Sequence, residues 1–333
     1  MKKTTLLLIA LSLLLLSIPA TSTAHTYKVL IIFSYSERLS WDRNVLKGIK
    51  SALKGIPINY TYFYMNTKQP QPPSYLSEIS SEAINLVEKV KPDLIITMDD
   101  NALRLVGKKL YKKQFKLVFG GINASPQKDY GIEMGYNITG ILETVYVSES
   151  VNLFHSLCPK TDSLTLISPD SYTNRYAYKT LVKGKHFSVK IKRVVFLSKF
   201  SKYREVVRSL QPRRDGLFLF GYFVLKDGTS PVLDETVVKW TVTHSKVPEV
   251  ALFEHQIKEG ALCGIVTDGQ RHGYRVGLLA KKVLKGTPIG KIPFEHPQIG
   301  TIAINIDRAH KLNIQIPFGI LMSAKIYRTN LLE

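Results

Sequence analysis

The stretch Lys91-Pro92-Asp93-Leu94-Ile95-Ile96-Thr97-Met98-Asp99-Asp100-Asn101 predicts a buried strand that ends in polar residues. Its first three residues are a turn signal, and the apolar run that follows has the length of a fully buried strand. The segment from Ala102 to Lys112 then predicts a helix. Ligands bind at such carboxyl ends of strands in open parallel sheets, so the last three residues of the stretch are candidate ligand contacts. The alternative is that Asp100 or Asn101 only caps the helix.

Strand and helix patterns alternate along the rest of the chain. Strands are predicted from Tyr27 to Ser34, from Ile58 to Met65 and from Lys116 to Phe119, with helices between them. The alternation restarts at Ser163 and continues to Phe253. Such alternation predicts an α/β fold with parallel sheets and right-handed crossovers. A final helix is expected from about Gly319 to Tyr327.

The first 24 residues have the features of a secretory signal peptide. Lys2 and Lys3 precede a short apolar run from Leu6 to Ile18, and Ser22-Thr23-Ala24 fits a cleavage site. We therefore expect residues 1–24 to be removed near Ala24 and the protein to be periplasmic or secreted. The alternative is an uncleaved anchor, although the apolar run is short for a membrane span.

The composition excludes several classes of protein. The formal net charge of +20 would suggest nucleic-acid binding in the cytosol, but the export signal argues against a nucleic-acid partner. The two cysteines, Cys158 and Cys263, form neither a disulfide scaffold nor a metal cluster. The sequence allows two alternatives: one disulfide bridge between them, or two buried free thiols.

Catalytic and metal-binding motifs are missing from the sequence. No Gly-x-Ser-x-Gly, His-Glu-x-x-His or Gly-x-x-x-x-Gly-Lys pattern occurs, and the eight histidines lack the spacing of zinc ligands. We expect no enzyme activity, no metal site and no cofactor.

A family resemblance rests on six motifs spread over almost the whole chain. They are Lys91 to Ile96, Val118-Phe119-Gly120-Gly121-Ile122-Asn123, Asn137-Ile138-Thr139-Gly140, Gly260-Ala261-Leu262, Gly273-Tyr274-Arg275-Val276-Gly277 and Asn305 to Pro317. With these motifs the chain resembles the type I periplasmic substrate-binding proteins of ABC transporters, and within them the branch that binds aromatic amino acids. Its start, Phe33-Ser34-Tyr35-Ser36 followed by Trp41-Asp42, is similar to a subset found beside or fused to sensor kinases.

The resemblance implies two Rossmann-like lobes, each a parallel sheet flanked by helices, joined by a hinge of crossing strands. The expected lobes are residues 27–138 with 265–297, and residues 139–264 with 298–333. The implied function is capture of a small polar or aromatic, amino-acid-like solute in the cleft between the lobes, by a monomer that serves an ABC permease. The alternative is a periplasmic sensing module that signals to a membrane histidine kinase.

The same resemblance places the ligand at the strand ends of both lobes. Gly120 and Gly121 would let backbone amides approach a carboxylate, and Asp100, Glu254 or Asp268 would hold an ammonium. Tyr35, Tyr172, Tyr222 and Phe223 would form walls of the cleft. Because Tyr222 and Phe223 are adjacent and alternate, at most one of them would face it. The full set of candidates is Ser34, Tyr35, Ser36, Asp99, Asp100, Asn101, Gly120, Gly121 and Asn123 in the first lobe, and Asp170, Thr173, Asn174, Tyr222, Glu254 and Asp268 towards the second.

Overall fold

The structure is a computed structural model that describes residues 25–68, 71–212, 214–296 and 300–329. The signal peptide predicted for residues 1–24 lies outside these ranges. Within them, the helices are all too short or too polar to cross a membrane.

The first sheet contains five parallel strands in the spatial order β2-β1-β3-β4-β5. Successive residues of β1 alternate between two apolar clusters: Leu30 and Ile32 face one, and Val29 and Ile31 face the other. Both faces of the sheet are therefore buried under helices, as a parallel sheet requires. The strands are β1 (Tyr27–Phe33), β2 (Ile58–Tyr64), β3 (Leu94–Met98), β4 (Leu117–Ile122) and β5 (Ile138–Leu142).

The second sheet contains seven strands in the order β14-β13-β12-β11-β8-β6-β7. Only the β12–β13 pairing is antiparallel in this sheet, as far as the described strands go. A separate antiparallel hairpin is formed by β9 (Val224–Asp227) and β10 (Ser230–Leu233). The sheet strands are β6 (Ser163–Pro169), β7 (Lys190–Leu197), β8 (Asp215–Leu219), β11 (Glu249–Ala251), β12 (Cys263–Val266), β13 (Thr301–Asn305) and β14 (Lys325–Tyr327).

Helices connect these strands and supply the apolar faces that bury them. In the first half they are α1 (Ser40–Ala52), α2 (Tyr75–Val90), α3 (Asp99–Ala102), a π-helical turn (Leu103–Gly107), α4 (Lys108–Leu110) and α5 (Pro126–Tyr130). In the rest of the chain they are α6 (Val147–Leu157), α7 (Tyr172–Leu181), α8 (Phe200–Arg208), α9 (Asp234–His244), α10 (Glu254–Lys258), α11 (Gly269–Leu284), a 3₁₀ turn (Ile289–Lys291), α12 (Ile306–Lys311) and α13 (Phe318–Ser323).

The chain passes between the two sheets more than once. It leaves the first sheet after β5, and α11 returns from β12 to pack Val276 against β4 of the first sheet. β13 then brings it back to the second sheet. The sheets thus include β5 in the first and all of β12 in the second, beyond the predicted boundaries at 138 and 264. We propose that the lobes divide at residues 143–146 and 267–268.

The α/β fold predicted from the alternation is confirmed, and two details differ. The predicted final helix from Gly319 to Tyr327 ends at Ser323, and Lys325 to Tyr327 pair with β13 as an edge strand. A three-residue strand carries too little periodicity to be read from sequence, and the neighbouring edge decides its conformation. Cys158 and Cys263 are both buried free thiols, which settles the question of a bridge.

Candidate functional site

The ammonium of Lys68 lies between two tyrosine rings at the strand ends of the two sheets. Its Nζ atom is 4.1 Å from the ring centre of Tyr35, which follows β1, and 4.2 Å from the ring centre of Tyr222, which follows β8. Both distances are within the range of favourable cation–π contacts. Burial lowers the pKa of Lys68, while the nearby carboxylates of Asp99 and Asp42 act in the opposite direction. The amine of Lys68 is thus held where the two lobes meet.

Asp42 and Asp99 bring two buried carboxyl groups to the same place. Asp99 is 3% exposed and Asp42 is 1% exposed. Asp99 Oδ1 accepts a hydrogen bond of 3.0 Å from Trp41 Nε1. Asp99 Oδ2 and both carboxylate oxygens of Asp42 have no hydrogen-bond partner among the described residues. Burial raises the pKa of Asp42 to about 7 and that of Asp99 well above its usual range.

Asp99 also has an unusual backbone conformation. Its φ of +66° places it in the left-handed region, which few residues other than glycine adopt. Gly121, with a φ of +71°, lies beside it, and a Cβ atom on Gly121 would stand 3.1 Å from Asp99 Oδ1. The left-handed backbone of Asp99 after β3 and of Gly121 in β4 therefore fixes the position of the Asp99 carboxyl group.

Asp100 ties the loop after β4 to the end of β3. Its carboxylate accepts hydrogen bonds from the backbone N–H groups of Asn123 and Ala124, both at 3.2 Å, and from the hydroxyl of Tyr130 at 2.7 Å. Asn123 in turn donates from Nδ2 to Glu143 Oε2 at 3.0 Å. Burial raises the pKa of Glu143 to about 7. Asp100 and Asn123 thus order the loop. The carboxyl group of Glu143 lies close enough to Lys68 to influence the pKa of that amine.

Gly120 and Gly121 do not offer free amides in this structure. The Gly121 N–H donates to His272 Nε2 at 2.8 Å. Burial and the positive charge of Arg275 lower the pKa of His272 to about 4, so the ring is neutral at physiological pH. A Cβ atom on Gly120 would come within 2.5 Å of the Val276 side chain, so Gly120 serves the close packing of α11 on the sheet.

Ser34 and Asn101 support the site without facing it. Ser34 Oγ donates to the Met98 carbonyl at 2.7 Å and accepts from the Ala102 N–H at 2.8 Å. Asn101 Nδ2 donates to Thr67 Oγ1 at 2.9 Å. The cap of the short helix α3 is therefore Ser34, from a neighbouring strand, and neither Asp100 nor Asn101 caps it. Ser36 lies in the loop after β1, where its carbonyl accepts from the Leu39 N–H at 2.9 Å.

In the second lobe, Tyr222 is supported by a buried hydrogen-bond cluster around Asp234. Asp234 Oδ1 accepts from the Phe223 N–H at 2.6 Å and from Gln256 Nε2 at 3.1 Å. Asp234 Oδ2 lies 2.7 Å from His255 Nε2. The His255 and Tyr222 rings are in contact, with centres 5.5 Å apart. Of the adjacent pair Tyr222 and Phe223, Tyr222 faces Lys68 and Phe223 is fully buried in the core.

The candidates after β6 have partners of their own. Asp170 forms a bidentate ion pair with Arg175. Arg175 Nε donates to Oδ1 at 2.6 Å and Nη2 donates to Oδ2 at 2.9 Å, and the Asp170 side chain is exposed. Asn174 Nδ2 donates to the Pro169 carbonyl at 3.2 Å. Thr173 lies in the first turn of α7, and its side chain is outside the described part of the structure.

Glu254 and Asp268 meet at Lys325 instead of standing apart as free ammonium ligands. Lys325 Nζ is 2.7 Å from Glu254 Oε1 and 2.7 Å from Asp268 Oδ2. The Tyr327 hydroxyl also donates to Glu254. Asp268 caps α11 by accepting from the Arg271 N–H at 2.9 Å. This network ties the edge strand β14 to the start of the helix that returns to the first sheet.

Four of the charged residues at this site were not among the candidates. Lys68 belongs to a loop that its prolines predict to be exposed, yet its side chain is partly buried. Asp42 lies in the first turn of α1, Glu143 directly follows β5, and Asp234 begins α9. The sequence does contain a signal for Glu143. Polar residues that follow parallel strands gather at one edge of the sheet, and Glu143 directly follows β5. In the described ranges no group of histidine, cysteine, aspartate and glutamate is arranged to hold a metal ion.

Comparisons with known proteins agree with this architecture. A tyrosine-binding protein of Clostridioides difficile (strain R20291) is 27% identical over 196 residues, which is 54% of this chain and 51% of the relative. The aligned region thus spans about half the length of that curated relative.

Solved structures share the fold. A ligand-free, open substrate-binding protein with adhesive properties from Clostridium difficile has a TM-score of 0.64 and 18% identity, covering 92% of this chain and 100% of its own. An ABC domain from Streptococcus pneumonia in complex with L-Trp has a TM-score of 0.65 and 17% identity, covering 91% and 100%. The sequence profile described as ABC transporter substrate binding protein matches residues 43–327. The chain therefore belongs to the family of ABC transporter substrate-binding proteins.

Proposed function

We propose that this protein captures a small amino-acid-like solute in the cleft between its two lobes and delivers it to the membrane permease of an ABC transporter. The observation that supports this most is the cluster of Lys68, Tyr35 and Tyr222 near the buried carboxyl groups of Asp42 and Asp99, three of whose oxygens have no hydrogen-bond partner among the described residues. These residues come from both sheets and gather at the carboxyl ends of parallel strands, where ligands bind in such folds.

The lining favours a solute with an amine and an aromatic part. Buried carboxylates with free oxygens form strong hydrogen bonds to an ammonium. Tyrosine rings pack on aromatic or aliphatic groups, and they prefer to do so where one side of the pocket is polar. The tyrosine named for the Clostridioides relative and the L-Trp of the Streptococcus structure have both properties.

Binding of the solute would favour the closed arrangement of the two lobes over the open one. A solute held between Tyr35 and Tyr222 contacts both lobes only when they are together. Such a solute stabilises the closed state by the difference between its affinities for the closed and open states. The permease would then recognise the closed, loaded form.

We also propose that the solute is bound without being converted. The hydroxyl of Ser34 donates to a backbone carbonyl and His272 accepts from a backbone amide, so neither is poised as a nucleophile or a base. Recovery of the bound solute unchanged after long incubation, measured by mass spectrometry, tests this part. A converted product would contradict it.

The binding test is a thermal-shift screen of the protein without residues 1–24 against amino acids, aromatic amines and carboxylates. A solute that binds the folded state alone raises the melting temperature, by an amount that grows with its concentration. We expect at least one amine-bearing aromatic solute to do so. The absence of any shift across the panel would contradict the proposed function.

Location and assembly are part of the same proposal. We expect the secreted protein to begin near His25 and to be monomeric. The mass of the exported protein checks the first expectation, and light scattering of the purified protein checks the second.

A further inference from the structure

We propose that the space between the Tyr35 and Tyr222 rings is a subsite for a positively charged amine, and that the solute's amine replaces the ammonium of Lys68 there. The protein would then select organic cations over anions of the same size. This inference rests on the proposed function and deepens it by naming the charge of the solute.

The geometry around Lys68 is that of a cation held between two aromatic faces. Its Nζ atom is almost equidistant from the two ring centres, at 4.1 and 4.2 Å. Cation–π contacts weaken beyond about 6 Å, so both rings contribute. One ring belongs to each lobe, so an amine in this position joins the lobes as a bound solute must.

The charges around the rings favour a cation in the same position. The carboxylates of Asp99, Asp42, Asp234 and Glu143 all act on Lys68. Asp234 is already satisfied by His255, Gln256 and a backbone amide, whereas Asp42 and one oxygen of Asp99 are buried with no hydrogen-bond partner in the described part of the chain. Unpaired buried carboxylates are costly and gain most from an ammonium that reaches them.

Lys68 itself is suited to be displaced. It lies on a loop beyond the end of β2, and its long side chain reaches the rings from the rim. Burial lowers its pKa, so keeping its charge between the rings carries a desolvation cost that its movement to water would relieve. An ammonium delivered by a solute takes over the contacts with the two rings and lies near the same carboxyl groups.

The competing role for Lys68 is to bind a carboxylate of the solute directly. The two roles predict opposite effects when the lysine is removed. A displaced lysine competes with the solute, so its removal strengthens the binding of cations. A lysine that binds the solute's carboxylate is required, so its removal weakens the binding of anions and zwitterions.

The test uses calorimetry with three probes that share a phenol ring: tyramine, a cation; tyrosine, a zwitterion; and 3-(4-hydroxyphenyl)propionate, an anion. We expect tyramine to bind the unaltered protein and the anion not to bind. Lys68→Ala should bind tyramine about tenfold more tightly, the scale of one cation–π contact. Lys112→Ala is the matched control, because Lys112 lies 4.1 Å from the Tyr136 ring centre on the exposed surface.

A second pair of variants tests the ring. Tyr222→Phe keeps the aromatic face, so it should bind tyramine more tightly than Tyr222→Leu does. Tyr222→Leu removes the face and should weaken tyramine binding about tenfold. The melting temperature of each variant without solute shows that it is folded.

The cation subsite would be overturned if the unaltered protein bound the anionic probe and Lys68→Ala did not. Equal affinities of Tyr222→Phe and Tyr222→Leu for tyramine would overturn it too. Failure of tyramine to bind both the unaltered protein and Lys68→Ala would overturn it as well. The proposed function would survive each of these results if another solute of the screen raised the melting temperature.

Discussion

The ammonium of Lys68 lies 4.2 Å from the centre of the Tyr222 ring, although Lys68 follows a strand of the first sheet and Tyr222 follows a strand of the second. This contact links the two lobes through side chains rather than through the connecting segments. It lies beside Asp42 and Asp99, which are buried and incompletely hydrogen-bonded among the described residues. Separation of the two lobes would break the contact of Lys68 with at least one of the two rings.

Asp42→Asn should stabilise the protein at alkaline pH more than at acidic pH. Burial raises the pKa of Asp42 from 3.8 to about 7 in the folded state, and Lys68 opposes that rise. At a pH between these two values, Asp42 is protonated in the folded state and ionised in the unfolded state. The free energy of unfolding therefore falls as the pH rises from about 4 to about 7. A shift of this size corresponds to at most about 4 kcal/mol.

Urea denaturation of both proteins at pH 5 and pH 8, without added solute, measures this effect. We expect the free energy of unfolding of Asp42→Asn to exceed that of the unaltered protein by more at pH 8 than at pH 5. An equal difference at the two pH values would show that Asp42 is hydrated in the folded state.

Gly273→Ala should destabilise the first lobe because α1 and α11 pack backbone to backbone. A Cβ atom on Gly273 would stand 2.0 Å from the Val45 carbonyl oxygen, and one on Gly48 would stand 2.0 Å from the Gln270 carbonyl oxygen. Overpacking of a close contact typically costs about 1–3 kcal/mol, and here neither backbone can yield without moving its helix.

Gly319→Ala is the matched control for this variant. Gly319 lies in helix α13, and apart from its chain neighbours and its own helix backbone no atom of the described residues is within 4 Å of the position of its added Cβ. Thermal denaturation should show a loss of melting temperature for Gly273→Ala and none for Gly319→Ala. A melting temperature of Gly273→Ala equal to that of the unaltered protein would contradict the close approach of the two helices.

Arg308→Met should destabilise the second lobe strongly. Arg308 and Glu249 form an ion pair in which both side chains are fully buried, and Arg308 Nη1 also donates to the Val242 carbonyl at 2.9 Å. Removal of one partner leaves a buried charge without its counter-ion, which costs about 3–5 kcal/mol.

An exposed arginine provides the comparison for Arg308. Arg328 lies 3.3 Å from Asp307 with its own side chain 69% exposed. Asp307 also accepts a hydrogen bond of 2.7 Å from the Thr329 N–H, so this carboxylate keeps a partner when Arg328 is removed and the cost should be smaller than for Arg308. Denaturant titration should therefore separate Arg308→Met clearly from Arg328→Met. Similar losses in the two variants would indicate that water reaches the Arg308–Glu249 pair.

Local sequence patterns predict the strands well because each strand depends on a short stretch of chain. The predicted strand from Tyr27 to Ser34 is observed as Tyr27–Phe33, and the Lys91-Pro92-Asp93 turn does place Lys91 in the left-handed region, with φ of +49°. Apolar runs and turn residues act locally, so one sequence is enough to read them. The membership of β5 and β12 in their sheets depends on neighbouring strands, so local patterns alone do not determine it.

The partners of the polar side chains could not be read in the same way. Asp100 and Asp268 stand at strand ends as predicted, yet the first orders the loop after β4 and the second caps α11 and pairs with Lys325. Nothing local distinguishes a carboxylate that holds a loop from one that faces a cleft. Lys68 reaches the site through the length of its side chain, and this depends on how the two lobes meet.

Calorimetric titration of the solute that most raises the melting temperature, into the unaltered protein and Asp99→Asn, tests most directly whether the cleft is the binding site. Asp162→Asn is the control, because Asp162 pairs with Arg214 on the surface with 61% of its side chain exposed. Loss of one charged hydrogen bond should weaken binding to Asp99→Asn at least about tenfold, while Asp162→Asn keeps its affinity. Equal affinity of Asp99→Asn and the unaltered protein would show that the solute binds elsewhere.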